Sequence, residues 1–254
     1  MGQRSISAFV IFVAAIASAA PLRAQTADDL VAKNLAARGG ADKLAAINSY
    51  ATKGEVREPG DFKLTYEEMR ARLDPATDRS AVRINMAIQG LTLIQAYDGT
   101  SGWRVNPFEG RKDAEKMGVD DARALADEAL IDGPLLASRA KSSKVEYLGR
   151  EDVDGTDAYK LRVTQNDGTT FTYYLDPDVY LEIKVVEQRT LRGAEQETET
   201  DYGDYERVAG VYFPFSIASG PLNAKDQQII TIKSADANVA VDPATFAMPV
   251  AKPH

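Results

Sequence analysis

Two arginines interrupt an apolar strand pattern and are the first candidates for chemistry in this sequence. Phe62, Leu64 and Tyr66 alternate with polar residues, and Arg70 and Arg72 continue the same face at steps of two. An arginine that projects inward from an apolar strand face needs an ion-pair partner or an opening to water. We therefore expect one of the two to hold a covering element in place or to meet the polar head of a ligand, unless the strand has already twisted out to solvent at this point.

Acidic residues supply the second candidate chemistry. Glu195, Glu197 and Glu199 share one face of a strand, a pattern that could bind a cation or supply paired catalytic carboxylates. Like charges at this spacing lie about 7 Å apart and are tolerated in water, so a solvated outer face is the preferred interpretation. The stretch from Asp152 to Asp157 resembles part of a calcium loop, but its glycine comes at the wrong position and a hairpin turn fits better.

The composition excludes several classes of enzyme. The 254 residues contain no cysteine, and the single histidine is His254 at the end of the chain. Thiol nucleophiles, disulfides and thiolate metal sites are therefore excluded, and a Ser-His-Asp triad is strongly disfavoured. We predict that the protein is not an enzyme and uses no metal or other cofactor.

Charge and the first residues indicate where the protein works. With 30 basic and 38 acidic residues the formal charge is −8, which disfavours nucleic acid and anionic lipid headgroups as partners. Residues 1–24 combine a basic start, an apolar run and a cleavage site at Leu22-Arg23-Ala24, the pattern of a signal peptide. We expect cleavage there, export through the inner membrane, and a soluble monomer in which residues 25–254 form one domain.

Apolar periodicity predicts the elements. Near-helical spacing predicts helices over 26–47 and 120–139, and the remaining residues alternate with period two in two blocks of antiparallel strands, about eleven in all. Eleven strands at about 4.8 Å make a sheet roughly 50 Å wide, whereas two helices of about 10 Å diameter cover only about 20 Å. We therefore predict a mainly β (α+β) fold, an unclosed β-barrel or half-barrel with helices covering its mouth.

An apolar cavity is the expected consequence of that architecture. A barrel of this size is wider than its own side chains readily fill, and an apolar cavity suits a hydrophobic ligand. We expect the cavity to be lined by Leu64, Tyr66, Ile84, Leu93, Trp103, Phe171, Tyr173, Ile183, Phe213 and Phe215. For the single tryptophan, filling the core or capping a sheet edge is the alternative.

The order of several segments points to a family. These segments are the helices that end at Ile47, Tyr97 to Phe108, Tyr174 to Pro177, the acidic strand that leads into Tyr205, Gly210 to Phe215, and Phe246 to Pro249. In this order they resemble the LolA-like outer-membrane lipoprotein-sorting proteins of Gram-negative bacteria, as a divergent member. The resemblance covers nearly all of the chain after residue 24.

The resemblance implies a function as well as a fold. It implies a periplasmic carrier of lipoprotein acyl chains or of other lipids, without a cofactor, that works with inner- and outer-membrane transport proteins. In lipoprotein carriers a strand arginine near the cavity holds the lid, and Arg70 or Arg72 would be its equivalent.

Two other functions stay open at this point. A lipid- or lipoprotein-sensing regulatory module could use the same fold. A carboxylate enzyme acting on periplasmic glycans would need two inward acids across a cleft, whereas the acidic residues mostly face outward.

Overall fold

The computed structural model describes residues 25–74, 79–137 and 143–250. These residues form one antiparallel sheet of thirteen strands. The strands are β1 (Ser49–Glu58), β2 (Phe62–Asp74), β3 (Arg79–Ile88), β4 (Leu91–Tyr97), β5 (Gly102–Asn106), β6 (Arg111–Lys116), β7 (Lys144–Val153), β8 (Thr156–Thr164), β9 (Thr170–Leu175), β10 (Glu182–Leu191), β11 (Ala194–Val208), β12 (Val211–Pro221) and β13 (Gln228–Ala237).

Strand order makes the sheet two meanders joined in the middle. The order is β6-β5-β4-β3-β2-β1-β13-β12-β11-β10-β9-β8-β7, so the first and last strands of the chain pair at the centre. The outermost strands, β6 and β7, do not pair with each other, so the sheet is not closed into a barrel. The predicted mainly β fold with an unclosed sheet is confirmed.

The sheet has two strands more than the sequence pattern predicts. Five of the six residues of β6 are charged, so this edge strand has no apolar face and gives no period-two signal. The alternation along β7 is interrupted by a bulge between Tyr147 and Gly149.

Within the described residues, four helices occur where the sequence predicts two helical stretches: α1 (Ala27–Arg38), α2 (Ala41–Ala45), α3 (Val119–Glu128) and α4 (Gly133–Ala137). Thr26 and Asp29 form a capping box at the start of α1, and Gly39 ends it with a positive φ. No helix in the described ranges is long and apolar enough to cross a membrane. The predicted signal peptide and the last two residues of the second predicted helical stretch lie outside those ranges.

The helices all pack on one face of the sheet, which we call the inner face. Beneath α3, Leu125 and Ala129 join a buried cluster with Val56 and Phe215. A second cluster places Leu30 and Val31 of α1 and Leu135 of α4 against the strands β8, β9 and β10, and a third places Leu44 of α2 beside Phe213. The helices therefore fill the hollow of the curved sheet.

The opposite, outer face is covered near β2 and β3 by the C-terminal segment. Phe246 is fully buried there against Ala71 and Ala81. The Trp103 indole Nε1 donates a hydrogen bond to the Phe246 carbonyl oxygen at 2.7 Å, and an Arg83 Nη1 donates to the Thr245 carbonyl oxygen at 3.0 Å.

A glycine bulge lies at the junction of the two meanders. The register of β1 against β13 shifts between Lys53 and Gly54. A Cβ on Gly54 would lie 2.1 Å from the Thr231 carbonyl oxygen, so only glycine allows the two central strands to approach this closely.

Candidate functional site

The structure gathers most of the predicted cavity residues on the inner face. Of the ten, seven are buried there: Leu64, Tyr66, Ile84 and Phe215 beneath α3, Phe171 and Tyr173 beneath α1 and α4, and Phe213 beneath α2. Leu93 is half-buried and lies opposite Met86, which packs against the cluster beneath α3. Helix side chains contact these residues, so the site is an apolar interior occupied by the protein's own helices.

Trp103 is not on this face, contrary to the prediction. Its cross-strand partner is Ala96, whereas the adjacent Tyr97 lies opposite Val82 of the inner cluster. Side chains alternate between faces, so Trp103 projects to the outer face, where the C-terminal segment buries it to 1% exposure. Of the alternatives open for this residue, core filling on the outer side is the one the structure shows.

Ile183 is also displaced from its predicted position. The register of β10 against β9 shifts between Glu182 and Lys184, and Ile183 is the extra residue of that bulge. Because of the bulge, Glu182 is the buried residue at this end of β10, while Ile183 is only half-buried.

Arg70 contacts the helical segment that covers the inner face. We call residues 119–137, which comprise α3, the connection and α4, the cap. The Arg70 guanidinium ion-pairs with Glu68 of its own strand and with Glu128 at the end of α3. Burial opposes the charge on Arg70, but Glu128 and Glu68 outweigh it and raise its pKa. Tyr66 completes the group, since its hydroxyl donates to Glu68 at 2.7 Å.

Arg72 makes the next contact with the cap. Its guanidinium ion-pairs with Asp132 in the connection between α3 and α4, and its Nε donates to the Ile47 carbonyl oxygen at 2.9 Å. The side chain is 13% exposed, so the strand has not turned out to solvent. Both arginines therefore face inward and ion-pair with the cap.

A third arginine, this one from the other half of the sheet, also ion-pairs with the cap. Arg189 of β10 ion-pairs with Glu187 two residues before it, and its Nη2 lies 3.1 Å from the Asp127 carboxylate of α3. Gln165 donates to the same carboxylate at 2.9 Å. The arrangement repeats that of β2, where an inward Glu is followed two residues later by an inward Arg that reaches α3.

The fourth arginine comes from α1. Arg38 is 7% exposed, and its Nη1 donates to the Asp132 carbonyl oxygen at 2.8 Å. Its guanidinium also lies 5.5 Å from the centre of the Phe213 ring, within cation–π range. Arg38, Arg70, Arg72 and Arg189, which we call the arginine clamp, thus fix the cap to α1 and to both halves of the sheet.

Comparisons with known proteins agree with this architecture. Neither protein-family models nor curated proteins match the sequence. A DUF1329 family protein from Desulfovibrio piger matches with a TM-score of 0.60 at 12% identity, over 87% of this chain and 97% of that one. A LolA superfamily protein from Nitrosomonas europaea matches with a TM-score of 0.55 at 14% identity, over 88% of this chain and 98% of that one.

The chain has a LolA-like fold. A third solved structure, a domain from Vibrio parahaemolyticus assigned to outer membrane lipoprotein sorting, matches with a TM-score of 0.57 at 13% identity. It aligns with 87% of this chain and 97% of its own length. The predicted resemblance is therefore confirmed for the fold.

Two small cavities lie between the helices and the sheet in the described part of this LolA-like fold. One of about 320 Å³ lies between α1, α2 and the cap, with apolar walls from Val31, Leu35, Leu44 and Leu136 and with Arg72 at its edge. Another of about 110 Å³ lies beside the connection between α3 and α4. Both are at or below the lower end of the usual ligand-pocket range.

Several residues of the site escape the sequence pattern. The cap carboxylates Asp127, Glu128 and Asp132 lie in a helical stretch where acidic residues are ordinary surface residues. Arg189 does carry the signal that identifies Arg70, because it follows the buried Val185 at steps of two.

Proposed function

We propose that this protein is a periplasmic carrier that binds the acyl chains of lipoproteins, or other lipids, in the apolar interior beneath the cap and transfers them towards the outer membrane. The observation that carries the proposal is the arginine clamp. A polar clamp holds a short helical segment over an apolar sheet face, an arrangement suited to exchange between the segment and an apolar ligand.

The energies of the two states are comparable. The large apolar side chains that the cap buries are Leu125, Leu130, Ile131 and Leu135. At about 2 kcal/mol each, exposing them costs about 8 kcal/mol. An acyl chain gains about 0.8 kcal/mol for each buried CH₂, so about ten methylenes offset that cost. The apolar contributions to the exchange therefore nearly cancel, which favours reversible binding.

Two further features support the proposal. The sequence begins with the signal-peptide pattern that predicts export. The solved structures with this fold include the domain from Vibrio parahaemolyticus assigned to outer membrane lipoprotein sorting, although identity to it is only 13%.

Native mass spectrometry of the protein purified from its own periplasm tests the function. We expect a copurifying diacylated lipoprotein or phospholipid, and uptake of a fluorescent fatty acid after the lipid is removed. Protein that is empty as isolated and also fails to take up the fatty acid would overturn the carrier proposal.

A further inference from the structure

Three large apolar side chains are exposed at one end of the first meander. Phe62, Leu91 and Phe108 have exposures of 65%, 42% and 48%. Phe62 begins β2 after the turn from β1, Leu91 begins β4 after the turn from β3, and Phe108 lies between β5 and β6. Because neighbouring strands of the meander are antiparallel, these three hairpin ends lie at the same edge of the sheet. We call the three residues the apolar rim.

The strand register brings the members of the apolar rim close together. The register of β2 against β3 places Phe62 level with the turn that Leu91 follows. The register of β4 against β5 places Leu91 close to the level of Phe108. Neighbouring strands lie about 4.8 Å apart, so the rim spans roughly 15 Å from β2 to β5. The rim is therefore a patch, unlike the single exposed apolar residues that are common on protein surfaces.

The apolar rim continues the apolar interior beneath α3. Phe62 lies two residues before the buried Leu64, so the two side chains share the inner face of β2. Leu91 lies opposite Ile88, which packs against the buried cluster that contains Leu64. Apolar side chains therefore lead from the rim to the interior that the cap covers.

The size and shape of the apolar rim favour a lipid surface over a protein partner. At about 200 Å² for a large side chain, the three exposed fractions amount to roughly 300 Å². A stable protein interface buries about 800 Å² on each partner, so the rim is too small to hold a second copy of the chain. Hairpin ends can instead insert their apolar side chains among lipid headgroups, where burial needs no complementary surface.

The charges beside the apolar rim indicate which lipid surface it suits. The three hairpin ends, residues 58–63, 88–91 and 106–111, carry three acidic and two basic residues: Glu58, Asp61, Glu109, Lys63 and Arg111. Without an excess of basic residues the rim does not attract anionic headgroups. A zwitterionic surface, which is bound through apolar burial, is the one that fits.

We propose that the apolar rim docks this protein on a zwitterionic phospholipid bilayer, with Phe62, Leu91 and Phe108 inserted among the headgroups. Docking in this orientation brings the apolar interior beneath α3 to the membrane surface. The proposal goes beyond the carrier function and does not depend on it, because a protein can bind a bilayer without withdrawing a lipid from it.

Cosedimentation of the protein with phosphatidylcholine vesicles tests the docking. The test variant combines Phe62→Ser with Phe108→Ser. The matched control is Val179→Ser, which replaces a 54% exposed apolar residue in the loop between β9 and β10, at the opposite end of the sheet. Thermal melts establish that both variants fold.

A second measurement leaves the rim apolar. Phe62→Trp and Val179→Trp each place an indole at an exposed position, and brominated phosphatidylcholine quenches an indole that enters the bilayer. The unmodified protein gives the background emission of Trp103, which is buried on the outer face.

We expect the unmodified protein and Val179→Ser to bind the vesicles, and the partition coefficient of the double serine variant to be lower by about tenfold or more. Brominated lipid should quench the indole of Phe62→Trp and not that of Val179→Trp. Absence of vesicle binding, equal binding by the double variant, or equal quenching at the two positions would overturn the docking. Self-association in sedimentation velocity that the double variant removes would also overturn it, because the rim would then join two copies of the chain.

Uptake of a fluorescent fatty acid from solution keeps the two proposals apart. A double variant that takes up the fatty acid normally and no longer binds vesicles supports the docking and leaves the carrier function intact. Vesicle binding through the rim by a protein that takes up no fatty acid would support the docking and overturn the carrier function.

Discussion

Asp127 and Glu128 are adjacent in α3, yet their carboxylates pair with arginines from opposite halves of the sheet. Asp127 meets Arg189 of β10, and Glu128 meets Arg70 of β2. Neighbouring helix residues project about 100° apart, so the end of one helix can reach both walls. The cap thus bridges the two halves of a sheet whose outermost strands do not pair with each other.

Loss of one clamp arginine should loosen the cap. In Arg189→Ala the carboxylates of Glu187 and Asp127 lose their shared cation while both remain largely buried, with side chains 27% and 16% exposed. We expect the free energy of unfolding to fall by about 1–3 kcal/mol and amide hydrogen exchange to become faster in residues 119–137. The control is Arg111→Ala, whose partner Glu115 lies on an exposed edge strand, and its effect on stability should be much smaller. Unchanged exchange in Arg189→Ala would contradict the clamp.

The fluorescence of Trp103 should not change on ligand binding. It lies on the outer face beneath Phe246, away from the interior that the cap covers. Its fluorescence emission is therefore expected to stay constant while native mass spectrometry records lipid uptake. Phe246→Ala should shift the emission to longer wavelength, because it uncovers the indole. An emission shift that tracks lipid uptake would place the ligand on the outer face of the sheet and so contradict binding beneath the cap.

Gly54 should tolerate no side chain. A Cβ would lie 2.1 Å from the Thr231 carbonyl oxygen, so Gly54→Ala is expected to lower the free energy of unfolding by about 3 kcal/mol or more. Gly203 is the matched control, since it also lies within a strand but its Cβ would meet nothing nearer than 3.8 Å. Gly203→Ala should leave stability unchanged or raise it by up to about 1 kcal/mol. Urea unfolding of the two variants checks this, and equal stabilities would refute the central bulge.

Stability should fall at alkaline pH. Burial raises the pKa of Tyr66, Tyr173 and Tyr205 well above 10, the value expected in the unfolded chain. Above about pH 10 the folded state therefore holds more protons than the unfolded state, and unfolding becomes more favourable as pH rises. Three such groups together lower the free energy of unfolding by up to about 4 kcal/mol per pH unit above pH 10. Below about pH 10 they cause no loss of stability.

Urea unfolding across this pH range, combined with tyrosinate absorbance, measures the effect. These three tyrosines should ionise only as the protein unfolds. Ionisation of all eleven tyrosines near pH 10 in folded protein would show that water reaches the interior, which would contradict the prediction.

The sequence pattern predicts most of the strands and helices, because most of them have a buried face with its own period. It also brings Arg70 and Arg72 to notice, since a charge at an inward strand position needs a partner. The sequence pattern does not identify their partners, because Glu128 and Asp132 lie about sixty residues away in the chain. The segment that contains them also carries acids at several exposed positions.

Register is the other limit of the sequence pattern. The strand containing Trp103 follows a turn whose length decides which face the indole takes, and a one-residue difference reverses it. Likewise, the bulge that displaces Ile183 and brings Glu182 inward leaves no mark in the alternation of Leu181, Ile183 and Val185. Only the pairing with the neighbouring strand reveals these exchanges.

Locking the cap shut tests the central claim most directly. Because the chain has no cysteine, Arg72→Cys and Asp132→Cys introduce a unique pair that a short bis-maleimide can join. The control pair, Lys53→Cys and Glu67→Cys, joins exposed neighbouring strands without touching the cap. The account predicts that cross-linking the first pair abolishes uptake of a fluorescent fatty acid while cross-linking the second leaves it unchanged. Equal uptake by the protein with its cap cross-linked would contradict the claim that acyl chains enter where the cap opens.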